Sequence, residues 1–369
     1  MIKPLDFSDL VRRLRKVDRH MVALLGQSML LWKQIADATG EPPGSAERLN
    51  LGTERLREAQ GWAVEYGLNP DFVKSLMDLV MDESRKVEPD DLQQPPKNVT
   101  EGEMSDLRAN LLALTARVAA TYDQTFDSHF FATQTYRRFE SELIDSVLSG
   151  VDDRSSALDL GCATGAYACR LSFLFSRVVG YDISPSMIDY AKQSPREKRR
   201  EALSFVTADL DDSIPENDSS TAFILMNLGT ASEVKDAGVL LEEIHRTLKI
   251  GGKAVLSFYN SDALVYKWEF IPWALSLAAE MNTRRNCLDV HIDREVFSIY
   301  AKAYSLQEIK DLLPPGLKLI QSVTYPTISS VLPDGLFDGE FIRDSVEDFD
   351  HQLNPLQLGN YLLVVCEKS

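Results

Sequence analysis

The chain has 369 residues, 44% apolar, 26% charged and 9% aromatic, which fits two or three globular domains and excludes a disordered, collagen-like or disulfide-stapled chain. Lys+Arg 39 against Asp+Glu 56 gives a net charge of −17, which repels phosphate backbones, so no nucleic acid is expected as a partner. The densest basic run, Arg196–Arg200, is interrupted by Glu197 and followed by Glu201, and reads as a solvated helix end. Four cysteines (Cys162, Cys169, Cys287, Cys366) form no Cys-x-x-Cys pair, so reduced thiols are expected and no zinc site. The first residues lack a basic-then-apolar signal, and no stretch reaches the ~18–20 apolar residues of a membrane span. The expectation is a cytoplasmic protein, made by a bacterium, that engages no membrane.

Residues 1–88 read as an all-α block. Leu10, Leu14, Val17, Met21, Leu24, Leu25, Leu31 and Ile35 fall at helical spacing and predict one long helix, which Gly40-Glu-Pro-Pro-Gly44 stops. A second helix is predicted over 53–66. A third follows Asn69-Pro70, a cap with Pro at the first helical position, and ends near Arg85. One long helix cannot bury its stripe alone, so a homodimer through this block is expected. Residues 89–105, rich in Pro, Gln, Asp and Glu, predict a linker.

From residue 106 two helices (106–121 and 133–148) precede short β-type runs that alternate with helices. Strands are predicted at 156–160, 177–181, 203–207, 221–226, 252–258, 317–324 and 361–366, with helices at 166–175, 186–193 and 237–248. That alternation predicts an α/β fold, a Rossmann-like doubly wound parallel sheet with a hairpin added at one edge.

The chemistry sits where the first strand meets its helix, in Ser156-Ala-Leu-Asp-Leu-Gly-Cys-Ala-Thr-Gly165. Ligands of open α/β sheets bind at the carboxyl ends of the strands. Gly161 permits a sharp turn and close approach of a ligand. The second strand runs into Asp182, where a carboxylate can accept both ribose hydroxyls, and the third into Ala208-Asp209, where an acid can accept from an adenine amino group. On these residues alone a dinucleotide-binding domain, or a glycine turn without a ligand, stays open.

Residues 106–369 resemble the class I S-adenosylmethionine-dependent methyltransferases. The matching pieces are Leu158-Asp-Leu-Gly-Cys-Ala-Thr-Gly165, Gly180-Tyr-Asp-Ile-Ser-Pro-Ser-Met-Ile188, Ala208-Asp209 and Glu242-Glu-Ile-His-Arg-Thr-Leu-Lys-Ile-Gly-Gly252. The resemblance implies S-adenosyl-L-methionine as cofactor. It implies Asp159 and Gly161 near its methionine end, Asp182 on the ribose, Ile183 against the adenine and Asp209 on the adenine amino group, with Ala163, Gly165 and Leu210 also cofactor-binding. Asn227 would bond the methionine part or the substrate. Ala163 departs from the pattern, because the family usually has Gly there. Tyr122 and Phe126, in Ala120-Thr-Tyr-Asp-Gln-Thr-Phe-Asp-Ser-His-Phe130, match a segment that closes over the cofactor, and either ring could pack on the sulfonium. The equal alternative is an amphipathic helix that buries both rings. A ring-rich stretch at 259–311, with Tyr259, Tyr266, Trp268, Phe270, Trp273, Phe297, Tyr300 and Tyr304, matches a cap over the substrate site, or else extra packed helices. No histidine pairs at ligand spacing, so no metal is expected; His245 reads as structural. His129, His291 and Tyr259 are the candidates for a catalytic base.

Residues 5–88 resemble the all-helical chorismate mutases, on Val17-Asp-Arg-His-Met-Val-Ala-Leu-Leu25 and Met77-Asp-Leu-Val-Met-Asp-Glu-Ser84. That family's site needs several cations for a dicarboxylate. Aligned on Asp18 and Ser84, its catalytic places hold Val11, Ser28, Thr39, Leu51, Gly52 and Glu88. Arg12 could replace the first cation only by a one-residue slip, which turns it about 100° round the helix. The expectation is a mutase-like domain without mutase activity, kept for dimerisation or as a cap. The functional expectation is a methyltransferase for a small molecule, a carboxylic or keto acid of secondary metabolism. The alternatives are aminocarboxypropyl transfer or cyclisation releasing methylthioadenosine, and a cofactor-binding scaffold without turnover.

Overall fold

The computed structural model describes residues 46–84, 99–123, 131–193, 201–267, 279–283, 285–292, 295–331 and 340–369. The chain divides into two compact units, Met1–Pro95 and Pro96–Ser369.

In the first unit, α1 spans Ala46–Glu65 and α2 spans Pro70–Ser84. Asn69 caps α2 as its sequence predicts: its side-chain oxygen accepts from Asp71 N (2.9 Å) and Phe72 N (3.3 Å), and Pro70 opens the helix. Gly67, at φ 70°, closes the turn between the helices, where Leu68 N donates to Ala63 O (2.7 Å). α1 begins seven residues before the expected Thr53. The expected long first helix, its Gly40–Gly44 stop and His20 lie outside the described residues.

The second unit opens with α3 (Glu101–Val118) and α4 (Phe131–Ser149). α3 takes over the end of the expected linker. Thr100 and Glu103 form a reciprocal capping box, Thr100 N donating to Glu103 (2.9 Å) and Glu103 N to the Thr100 hydroxyl (3.3 Å). The strands are β1 (Ala157–Leu160), β2 (Val178–Asp182), β3 (Leu203–Thr207), β4 (Thr221–Met226) and β5 (Leu248–Tyr259), with helices α5 (Ala166–Leu171), α6 (Pro185–Gln193) and α7 (Ala237–Thr247) between them. α5 is a turn shorter than expected.

Later come β6 (Ala279–Asn282), β7 (Cys287–Ile292), β8 (Glu295–Tyr300), α8 (Leu306–Leu312), β9 (Leu317–Tyr325), α9 (Glu340–Leu353) and β10 (Tyr361–Lys368). The main sheet has the order β3-β2-β1-β4-β5-β10-β9. β1 to β5 run parallel, and β10 is antiparallel to both β5 and β9, which is the added hairpin.

Both faces of the central strands are covered, so β1 and β4 are buried at every residue and read as unbroken apolar runs apart from Asp159 and Thr221. Leu158, Leu160 and Ile224 pack with Leu240, Leu241 and Ile244 of α7 and Ile309 of α8. Ala157, Phe223 and Leu225 pack with Tyr136 and Ile144 of α4, Leu171 of α5 and Ile188 of α6. Within the insertion, for which extra packed helices were the alternative to a cap, β6, β7 and β8 form a second, three-stranded antiparallel sheet. Leu288 and Val290 of β7 and Ile299 of β8 pack against Leu114 and Val118 of α3. Tyr304 belongs instead to the main core, edge-on to Phe258 (5.5 Å between centroids). Trp268, Phe270 and Trp273 lie outside the described residues.

Candidate active site

At the carboxyl ends of β1 to β5 lies a cavity of about 390 Å³, roofed by α3 and the small sheet. That volume falls in the range of small-molecule sites.

The loop after β1 forms its floor. Gly161 (φ 71°) and Cys162 both donate their backbone N–H to Tyr181 O, at 2.7 and 2.9 Å. A Cβ on Gly161 would lie 2.4 Å from the Thr230 methyl, so glycine is required there. Ala163 lines the cavity in the left-handed region (φ 45°), a conformation that costs a non-glycine residue ~1–2 kcal/mol. This is the physical reason that a glycine suits the position. Here the strain is held by a carboxylate: Ala163 N donates to Asp182 Oδ2 (2.8 Å). Gly165, also left-handed, caps α5, and a Cβ there would meet the Phe205 ring at 2.3 Å.

Asp182 ends β2 on the cavity wall, and its other oxygen accepts from Ser184 N (2.8 Å). Burial raises its pKa, and the two backbone N–H groups oppose the shift. Ile183, Met187 and Leu210 add apolar wall beside it. Asp209 follows β3 and is gripped by Arg108 of α3, with Nη1–Oδ2 at 2.6 Å and Nη2–Oδ1 at 2.8 Å; Nη2 also reaches Asp211 (2.7 Å).

The loop after β4 forms the opposite wall. Leu228 and Gly229 are both left-handed (φ 52° and 79°). Their N–H groups are held from behind: Leu228 N donates to Glu140 Oε1 (3.1 Å) and Gly229 N to Ser257 Oγ (2.9 Å). Glu140 is fully buried, and Tyr136 OH (2.7 Å) and Tyr167 OH (3.3 Å) also donate to it. Beyond this turn, Glu233 reaches the cavity, and Tyr259 OH donates to its Oε1 (3.3 Å). Burial pushes Glu233 up to about 8; the Tyr259 hydroxyl opposes this and Asp182 adds to it. Tyr122 and Tyr361 complete this side.

The structure thus brings Gly161, Ala163, Asp182, Ile183, Asp209, Leu210, Tyr122, Tyr259 and His291 to one cavity. Asp159, Gly165 and Asn227 are not among the residues that line this cavity. Gly165 serves the helix cap, and the Asn227 carbonyl accepts from Thr230 N (3.0 Å) within the β4 turn. Asp159 is 1% exposed, and neither of its carboxylate oxygens meets hydrogen-bond geometry. Burial raises it to about 7, with Asp182 and Glu140 adding and the Ala168 backbone N–H opposing.

His291 borders the cavity, but strand alternation sets it on the face of β7 that carries Cys287 and Asp289, opposite Leu288, Val290 and Ile292. His129 and Phe126 lie outside the described residues. His245 packs beneath Gly316 on the far end of α7, in line with a structural role. Sequence reasoning missed Arg108, Thr230 and Glu233. Among the described residues no group of three or more His, Cys, Asp or Glu could hold a metal ion, and no helix is long and apolar enough to cross a membrane.

Residues 158–256, which supply this floor and both loops, match the family described as "Methyltransferase domain". Three characterised proteins are similar. The 2-phytyl-1,4-naphtoquinone methyltransferase of Nostoc punctiforme is 31% identical over 149 residues, which is 39% of this chain and 62% of that protein. The biotin biosynthesis bifunctional protein BioHC of Cellvibrio japonicus is 29% identical over 149 residues, 40% of this chain and 27% of that one. The malonyl-[acyl-carrier protein] O-methyltransferase of Yersinia pestis is 27% identical over 140 residues, 38% and 49%. The matched region spans from about a quarter to under two thirds of these relatives. The strand order and the glycine turn agree with the match of residues 158–256 to a methyltransferase domain.

Proposed function

We propose that the whole chain is an S-adenosylmethionine-dependent methyltransferase acting on a small molecule. The observation that carries this is one cavity in which Asp182, Ile183, Asp209 and Leu210 lie at the ends of consecutive parallel strands, in the order a nucleoside requires. The residues fit the cofactor. Asp182 has a ribose-facing position with its orientation fixed by two backbone N–H groups. Gly161 brings bare backbone to the cavity wall, where a ligand can approach closely. The cofactor supplies the methyl group and its leaving sulfur; the protein positions, desolvates and manages the proton.

A small acceptor is supported by the cavity's size and by relatives that act on a naphthoquinone and on a malonyl group carried by a protein. The expected carboxylic or keto acid draws support from the malonyl relative alone, while the cavity's acidic wall bears against it. For residues 1–88 we propose an inactive mutase-like module that holds a homodimer together. Two of the places where a mutase needs a charged or amide side chain, Leu51 and Gly52, fall on α1. Sedimentation of the whole chain and of one lacking residues 1–88 tests the dimer, and a monomer in both cases removes it. The activity reading is tested by calorimetry with S-adenosylhomocysteine on the wild type and on Asp182→Ala. Saturable binding weakened at least tenfold by the substitution supports it; no binding to the wild type refutes it.

A further inference from the structure

Besides tyrosines, the titratable side chains on the described cavity wall are Asp182, Asp209, Asp211, Glu233, Arg108 and His291. Three of the four acids are committed. Asp182 holds two backbone N–H groups, and Asp209 and Asp211 hold Arg108, the only Arg or Lys on the described wall. Glu233 differs. It is half-buried and open to the cavity, and its hydrogen-bond partner is a single hydroxyl, that of Tyr259, at 3.3 Å. The other groups that face it are Asp182, Tyr122 and Tyr361, none of them a cation. It follows the β4 turn, whose strained backbone is pinned by Glu140 and Ser257, so its position is fixed by the fold.

We propose that Glu233 is the general base of the site, and that the acceptor is a small molecule with an apolar body and an amine or hydroxyl X–H group, not a carboxylate. The inference rests on the methyltransferase reading above. The step balances. The X–H bond breaks and its proton passes to a Glu233 oxygen. The lone pair of X forms the bond to the methyl carbon. The carbon–sulfur bond breaks, and its electron pair stays on sulfur as a neutral thioether. A carboxylate acceptor has no proton to lose, and would have to enter a wall where four carboxyl groups meet one paired arginine. The apolar body has its complement in Leu288, Val290, Ile299, Tyr122 and Tyr361.

The electrostatics add a gate. Burial pushes Glu233 up to about 8, so at neutral pH it keeps its proton. Beside a sulfonium it gives that proton up more readily, and the base is armed when the methyl donor is in place.

The test uses the whole chain. First, infrared difference spectra, wild type minus Glu233→Gln, follow the Glu233 carboxyl band from pH 5 to 9 with S-adenosylmethionine or S-adenosylhomocysteine bound. The proposal expects a titration midpoint at least about one pH unit lower with the sulfonium; equal midpoints overturn it. Second, S-adenosylhomocysteine release is measured with a panel of amines, phenols, alcohols and carboxylic acids. Turnover with amines or hydroxyl compounds is expected, and the nature of the methylated product tells the two apart; turnover with carboxylic acids alone overturns the proposal. Third, Glu233→Gln should lower kcat at least about 100-fold while its S-adenosylhomocysteine Kd stays within about threefold of wild type. Tyr259→Phe, which removes the stabilising hydroxyl, should move the pH profile upward and cost roughly tenfold or less. Wild-type rates in Glu233→Gln sink the base alone. Lost cofactor affinity in that variant makes Glu233 a cofactor ligand and also sinks it. Absence of S-adenosylhomocysteine binding to the wild type instead sinks the methyltransferase reading beneath it.

Discussion

Asp182 and Glu233 stand on opposite walls of one cavity, both are shifted upward by burial, and their surroundings differ in kind. Asp182 is grasped by two backbone N–H groups at 2.8 Å, which fix it and favour its charged form. Glu233 has a single side-chain hydroxyl at 3.3 Å and nothing from the backbone. A carboxylate saturated by backbone donors is built to hold a ligand in one place. One left with a weak donor in an apolar pocket is built to change protonation state. The cavity therefore separates into a nucleotide wall that binds and an acceptor wall that reacts.

Four substitutions sharpen or break that contrast. The largest effect is expected at Glu233. Gln there should remove between about 10² and 10⁴ of kcat and leave cofactor affinity intact, read by steady-state kinetics beside calorimetry. Next, Asp182→Ala should do the reverse of this pattern. Cofactor affinity falls at least tenfold, ~1.4 kcal/mol, and Ala163 N and Ser184 N lose their acceptor, so thermal stability drops as well. Equal affinity in the two proteins would dissolve the division between the walls.

Asp159 tests the buried floor by pH. Its folded-state pKa lies near 7 against an ordinary 3.8, so its contribution to stability is fullest below pH 3.8 and is lost as pH rises through about 7. Asp159→Asn should therefore gain on the wild type progressively between those values, by at most ~4 kcal/mol, in urea titrations of the ligand-free protein at a series of pH values. Parallel stability curves would show that burial does not govern this carboxyl. The smallest effect belongs to Arg108→Ala. Its pairs with Asp209 and Asp211 are partly exposed, so the loss should be about 0.2–1 kcal/mol and should fade at high salt.

Much of the fold is legible in the residues, for identifiable reasons. β3 and β4 fall on the expected bounds, because short apolar runs flanked by turn residues allow no other reading. The glycine turn and the acids after β2 and β3 are local signals at known spacing, so the nucleotide wall is legible too. The small sheet was missed, although its signal was present. Leu288, Val290 and Ile292 alternate with polar residues, and two residues separate that run from Glu295–Tyr300. The rings around it drew attention to helices.

Glu233 and Arg108 could not be found locally. Nothing in Ser232-Glu233-Val234 marks a base; its role depends on Tyr259, 26 residues on, and on a cavity that exists only after packing. Arg108 becomes part of the site through partners about 100 residues away. Asp159, Gly165 and Asn227 belong to segments that reach the cavity without lining it themselves.

The central claim is methyl transfer to a protic acceptor in this cavity. The most direct measurement is the mass of the nucleoside co-product when the whole chain is incubated with S-adenosylmethionine, alone and with amine and hydroxyl acceptors. S-adenosylhomocysteine that rises only when an acceptor is present is the predicted result. Methylthioadenosine formed above the spontaneous background without any acceptor would contradict the account.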